Sequence, residues 1–89
     1  MSVWYLYILE CAGGSLYTGI TTDVARRFSQ HQAGKGARYT RSHPPVRVVG
    51  AVACGTRSDA LKAELAVKRM TAAAKREYCA NLAVVSCAN

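Results

Sequence analysis

At 89 residues the chain has room for one domain, and a chain this short buries only about 60–65% of its unfolded surface, which allows one modest core. Half of the residues are apolar and 19% are charged, which excludes an intrinsically disordered chain; no apolar run approaches the roughly 20 residues that span a bilayer. Twelve basic residues against five acidic ones give a net charge of +7, which favours a polyanionic partner through counterion release from a phosphate backbone, with solubility as the plainer reason for such a charge.

Residues 3–10 are rich in aromatic and β-branched types and read as a strand, with Trp4, Leu6 and Ile8 on one face and Tyr5, Tyr7 and Leu9 on the other. Bulky groups on both faces fit a strand inside a sheet. Ala12-Gly13-Gly14 is a turn, and residues 15–20 form the second strand of a hairpin. The register is decisive. A two-residue loop would set Glu10 opposite Tyr17 and leave Tyr7 on the other face. A three-residue loop, Ala12 to Gly14, sets Leu9 opposite Tyr17 and Tyr7 opposite Gly19. Opposed residues share a face, so a joint site for Tyr7 and Tyr17 requires the second register.

Thr21-Thr22-Asp23 starts a helix that ends near Ala33-Gly34; Val24 and Phe28 form its buried stripe, and Arg27 and His31 lie one turn apart on another. Residues 34–45 lack periodicity and read as a loop that carries Lys35, Arg38, Tyr39, Arg41 and His43. Residues 46–53 are a third strand, central or well covered. Thr56 to Asp59 is a capping sequence for a helix over residues 57–70, on which Ala60, Leu61, Ala63, Leu65, Val67 and Met70 form a broad apolar arc. Thr71 can cap a last helix to about Leu82, followed by a short tail from Val84 to Asn89. The four cysteines, Cys11, Cys54, Cys79 and Cys87, match no zinc spacing and read as free thiols, some of them small core residues. Nothing at the N-terminus reads as a signal peptide, and a cytoplasmic location is expected.

Glu64 falls in the middle of the apolar arc, where an ionised carboxylate is costly unless it is paired or holds a metal. Lys68, one turn on, or an arginine could pair with it; a single carboxylate is also enough to hold Mg²⁺ with its waters. Tyr7 and Tyr17 taken alone are ordinary sheet residues with wet hydroxyls, and Arg27 with His31 an ordinary solvated helix face. Taken together these types suit phosphodiester hydrolysis, which needs a base for water, a cation over the phosphate oxygens and a metal at the leaving oxygen. The basic loop with its interleaved Tyr39 suits a phosphate-backbone contact.

At this point the chain resembles the GIY-YIG nuclease superfamily, over about residues 3–83, and within it the small single-domain bacterial branch. Tyr17-Thr18-Gly19 matches the second signature, and Gly34 to Arg41 matches a loop of that branch. The first signature stands as Tyr5-Leu6-Tyr7, so that only its tyrosine carries over, and Ile20 stands where some repair members have lysine. The resemblance implies an α+β fold: a three-stranded antiparallel sheet flanked by about three helices. It implies Tyr7 as the base that activates water, Tyr17 as orienting the phosphate or that water, and Arg27 as stabilising the pentacovalent phosphate. His31 would assist proton transfer or phosphate binding, and Glu64 would hold one Mg²⁺ or Mn²⁺. Asn81 is a candidate for a late asparagine used in other branches. Thr22, Lys35, Arg38, Tyr39 and Arg41 are candidates for nucleic-acid contact. The expected function is a metal-dependent nuclease of low sequence specificity acting on DNA with single-stranded or irregular regions, in a setting of repair or recombination, as a monomer or weak homodimer. The alternatives are a non-catalytic nucleic-acid-binding module of the same fold, with Glu64 in an internal ion pair, and an interaction domain that needs a partner chain.

Overall fold

A computed structural model describes residues 2–86, with side chains described as far as Ala80. Three strands, β1 (Trp4–Cys11), β2 (Leu16–Thr21) and β3 (Pro45–Gly55), form one antiparallel sheet in the order β2-β1-β3. Four helices accompany it: α1 (Val24–Gln32), α2 (Arg38–Ser42), α3 (Arg57–Lys68) and α4 (Ala72–Ser86). The α+β class and the three-stranded sheet are as the sequence implies. Among the described residues no helix is long and apolar enough to cross a membrane.

The turn between β1 and β2 has the length that the two tyrosines require. Ala12–Gly14 makes a single 3₁₀ turn, with Gly13 and Gly14 both at φ +87°, a conformation that side chains resist. The Cys11 N–H closes it onto the Ser15 carbonyl at 2.8 Å. Leu9 then faces Tyr17 and Tyr7 faces Gly19. From α4, the Arg76 guanidinium donates to the Gly14 carbonyl and pairs with Glu10 at 3.6 Å, which ties the turn to the last helix.

The sheet buries both faces. Leu6 and Ile8 pack on Val67 of α3 and Cys79 of α4, with Ala63, Met70 and Tyr78 around them. Tyr7, Leu9, Cys11 and Ala51 form the other layer, against Val24 and Phe28 of α1. α1 is capped by the Asp23 carboxylate, which accepts from Arg26 N–H at 3.1 Å, and α3 by the reciprocal Thr56–Asp59 box.

Several elements differ from the sequence reading. The segment 34–45 is not all loop, because Arg38–Ser42 makes one helical turn. β3 is an edge strand rather than a central one, which explains why it can begin at Pro45. It is nonetheless covered, since α4 packs along it, with Cys79 next to Gly50. α3 stops at Lys68, and its buried face is narrower than the apolar arc: Leu61 and Leu65 are 39% and 55% exposed. α4 continues to Ser86 instead of ending near Leu82. Cys11 and Cys79 are buried free thiols and Cys54 is a half-buried one; Cys87 and the end of the tail lie outside the described residues.

Gly19 has a packing duty. A Cβ there would lie 2.7 Å from Tyr7 Cζ, against a buried ring that has no room to retreat. Gly19→Ala is expected to lose about 1–3 kcal/mol of stability through overpacking. Denaturant unfolding checks this, and a variant as stable as the parent would show that the ring has slack.

Candidate active site

A chain of buried hydrogen bonds joins β1, α1 and α2. The Thr40 hydroxyl donates its one proton to the Ala37 carbonyl at 2.8 Å, so towards His31 Nδ1, 2.7 Å away, it can only accept. His31 therefore carries its proton on Nδ1 and presents the Nε2 lone pair to the Tyr7 hydroxyl, which donates to it at 2.8 Å. Tyr7, His31 and Thr40 are all essentially inaccessible to solvent. The local sequence explains the placement. Tyr7 points inward from the central strand, and His31 sits in the last turn of α1, before Gly34 at φ +78° reverses the chain. Gly36 then passes so close that a Cβ there would overlap His31 Nδ1. Thr40 follows in the turn of α2.

Burial pushes the Tyr7 phenol up to about 12; the Arg27 guanidinium beside it relieves part of that, while Tyr17 and Glu64 add to it. Burial, with help from the Arg27 charge, holds His31 below the usual histidine range. Both groups are thus neutral at pH 7, an acid in contact with a vacant base. Tyr17 shares the face, as the register demands: its ring centroid is 6.4 Å from that of Tyr7 and 5.2 Å, edge-on, from that of His31. Tyr39 stacks on Tyr17 at 6.1 Å and 14°, and His43 stacks on Tyr39 at 4.5 Å and 12°, extending an aromatic ladder outward.

Arg27 is half-buried and held by Gln30 Oε1 at 3.0 Å. Glu64 comes from α3, the helix that packs on the opposite sheet face, three residues before Val67, and is the smallest of the influences on the Tyr7 phenol. Its side chain is 19% exposed, and Lys68 lies 3.5 Å from Oε2, the local pair that the sequence offered as one explanation. Such a pair with a half-exposed lysine is worth at most about 1 kcal/mol and can give way to a competing cation. Among the described residues no group of three or more His, Cys, Asp or Glu side chains could enclose an ion. Glu64 alone fits a hard, water-carrying cation such as Mg²⁺ or Mn²⁺, not a zinc-type cage.

The remaining candidates stand at the rim. Lys35, Arg38 and Arg41 are exposed, and among the described residues none of them pairs with a carboxylate. Thr22 lies on the β2–α1 connection, lining a cavity at the end of the sheet. The side chain of Asn81 lies outside the described residues. Thr40 is the residue that sequence reasoning missed: a threonine in an aperiodic segment carries no signal until the fold sets it against an imidazole.

Thr40→Val keeps the shape but leaves the His31 Nδ1–H buried without an acceptor. The expected loss is about 1–3 kcal/mol in denaturant unfolding, and the ring nitrogen NMR shifts should lose the single Nδ1–H form. A pH effect follows from the depressed His31 value. Below about 6.5 an unfolded histidine takes up a proton that the folded one refuses, so stability should fall as pH drops below 6.5. His31→Asn should flatten that part of the unfolding-midpoint profile.

Comparison with known proteins places these residues in a family. The model of the GIY-YIG catalytic domain matches residues 3–78. A UPF0213 protein of Cupriavidus pinatubonensis is 71% identical over 79 residues, which cover 89% of this chain and 88% of that protein. One from Cronobacter sakazakii is 48% identical, covering 90% and 84%. The solution structure of a UPF0213 protein from Bacillus halodurans matches with a TM-score of 0.55 at 44% identity, covering 88% of this chain and 83% of that one. A protein of E. faecalis matches with a TM-score of 0.62 at 38% identity, covering 91% and 86%. With the family model matching residues 3–78, most of its length, and with relatives such as these, the chain belongs to the GIY-YIG family.

Proposed function

We propose that the protein is a divalent-metal-dependent nuclease that hydrolyses DNA phosphodiester bonds with low sequence specificity. The observation that carries this reading is the Tyr7 hydroxyl donating to the free Nε2 of a histidine whose tautomer Thr40 holds. A phenol pushed up to about 12 is no base by itself at neutral pH. With an acceptor in contact, its proton moves to His31 Nε2 as its oxygen takes a proton from the attacking water. The water oxygen then bonds to phosphorus, and the bond to the leaving oxygen breaks. Arg27, next to Tyr7, faces the charge that grows on the phosphate oxygens. Tyr17 orients the phosphate or the water. Glu64 would hold Mg²⁺ or Mn²⁺, which supplies charge shielding and stabilises the leaving oxygen. The +7 charge and the exposed Lys35, Arg38 and Arg41 supply the hold on the phosphate backbone, and Tyr39 contributes through the aromatic ladder it shares with Tyr17 and His43.

One observation favours a second reading, a binding module without turnover: Glu64 already has Lys68 as an ion-pair partner. The two readings separate in one assay. Single-stranded, duplex and branched DNA are incubated with the protein and Mg²⁺ or Mn²⁺. Glu64→Ala should abolish cleavage, and Tyr7→Phe should lower the rate about 10²–10⁴-fold. Equal cleavage by parent and Glu64→Ala, or none by either, rejects the nuclease and leaves the binding module.

A further inference from the structure

A cavity of about 420 Å³ opens where β1 begins, β2 ends, and α1 and α3 start. None of its lining except Arg27 belongs to the catalytic constellation. Its character is unusual for a surface hollow in so small a protein. Three guanidiniums, from Arg26, Arg27 and Arg57, line it with Trp4. Arg57 lies over the Trp4 ring at 5.6 Å from its centroid. The acidic member of the lining, Asp23, is engaged as the N-cap of α1, accepting from the Arg26 N–H at 3.1 Å. The cavity is thus strongly positive, has an aromatic wall, and is within the size range of small-ligand sites.

Arg27 ties this cavity to the reacting centre. It stands beside the Tyr7 phenol and also forms one wall of the cavity, held there by Gln30. A strand whose scissile phosphate meets Arg27 at Tyr7 has its neighbouring nucleotide next to the cavity. We propose that the cavity is a subsite for that neighbouring nucleotide in unpaired form, with Arg26 and Arg57 on its phosphate and Trp4 against its base. The inference rests on the nuclease reading and adds a source of substrate choice. A base stacked and paired inside a duplex is not free to turn into the hollow, whereas a base in a single strand is. The stacking wall is indifferent to base identity, which matches low sequence specificity. Thr22, assigned from sequence to nucleic-acid contact, lines the same cavity.

Trp4 is the single tryptophan of the chain and reports on the cavity directly. The parent protein, kept free of metal with a chelator so that nothing is cleaved, is titrated with a dye-labelled eight-nucleotide oligo(dT) and with a blunt duplex. Binding is followed by dye anisotropy and the cavity by tryptophan emission. The expected result is saturable quenching by the single strand, at the concentrations at which anisotropy shows binding, and none by bound duplex. Arg26→Gln and Arg57→Gln should each weaken single-strand binding about 5–10-fold and duplex binding less than twofold, and should lower the salt slope for the single strand by about 0.7. Binding of the single strand without quenching overturns the subsite, as does equal quenching by duplex, or equal weakening of both ligands by the variants. Because the parent protein carries the emission readout, a variant that fails to fold does not decide the matter. Quenching without metal-dependent cleavage would leave the subsite and reject the nuclease. Cleavage without quenching would do the reverse.

Discussion

Neither Tyr7 nor His31 could keep its place alone. Each is a polar side chain taken wholly out of water, and an unpartnered buried donor or acceptor costs on the order of 1–3 kcal/mol. The chain Tyr7–His31–Thr40–Ala37 removes that cost in a single direction, with each proton assigned and each acceptor used. It also fastens the central strand to the end of α1 and to the turn of α2. The short helix α2 has no cluster of buried apolar residues to hold it; its one buried residue is Thr40. The same bonds that satisfy the buried phenol therefore hold α2 in place.

The hairpin and its consequences were legible because local chemistry decides them. Paired glycines permit only a few turns, the three-residue one places Tyr7 opposite Gly19, and the alternation of a strand does the rest. The caps at Asp23 and Thr56 were legible for the same reason. What escaped depends on contacts between segments distant in sequence. Arg38–Ser42 shows no helical periodicity, and it is helical because Thr40 meets His31. Leu61 and Leu65 fit an apolar arc but lie beyond the reach of the sheet. The burial of Glu64 was foreseen, along with Lys68 as a partner. Trp4 and Arg57 sit at opposite ends of the sequence reading, one as a sheet residue and one as a helix start, and only the pairing of Trp4 with Gly55 at the end of β3 brings them together.

Two flanks, unlike in character, border Tyr7. On one, Tyr17, Tyr39 and His43 form a stacked ladder beside the exposed Lys35, Arg38 and Arg41. On the other, Trp4 and three arginines line a hollow. Stacking surface and positive charge thus occur together on both sides, the combination that suits flexible strands with accessible base faces. The flanks belong to different elements: the first draws on β2, the α1–α2 connection and α2 with the residue that follows it, the second on strand ends and helix starts.

Gly36 leaves no space for a Cβ beside the imidazole of His31. Positions 31 and 36 are therefore not free to change separately. Any side chain at 36 must either push the loop away, opening Thr40 to water, or be met by a smaller residue at 31, which removes the proton acceptor. Gly36 thus acts as a mutational lock on the histidine, although it contributes no atom to the hydrogen-bond chain itself.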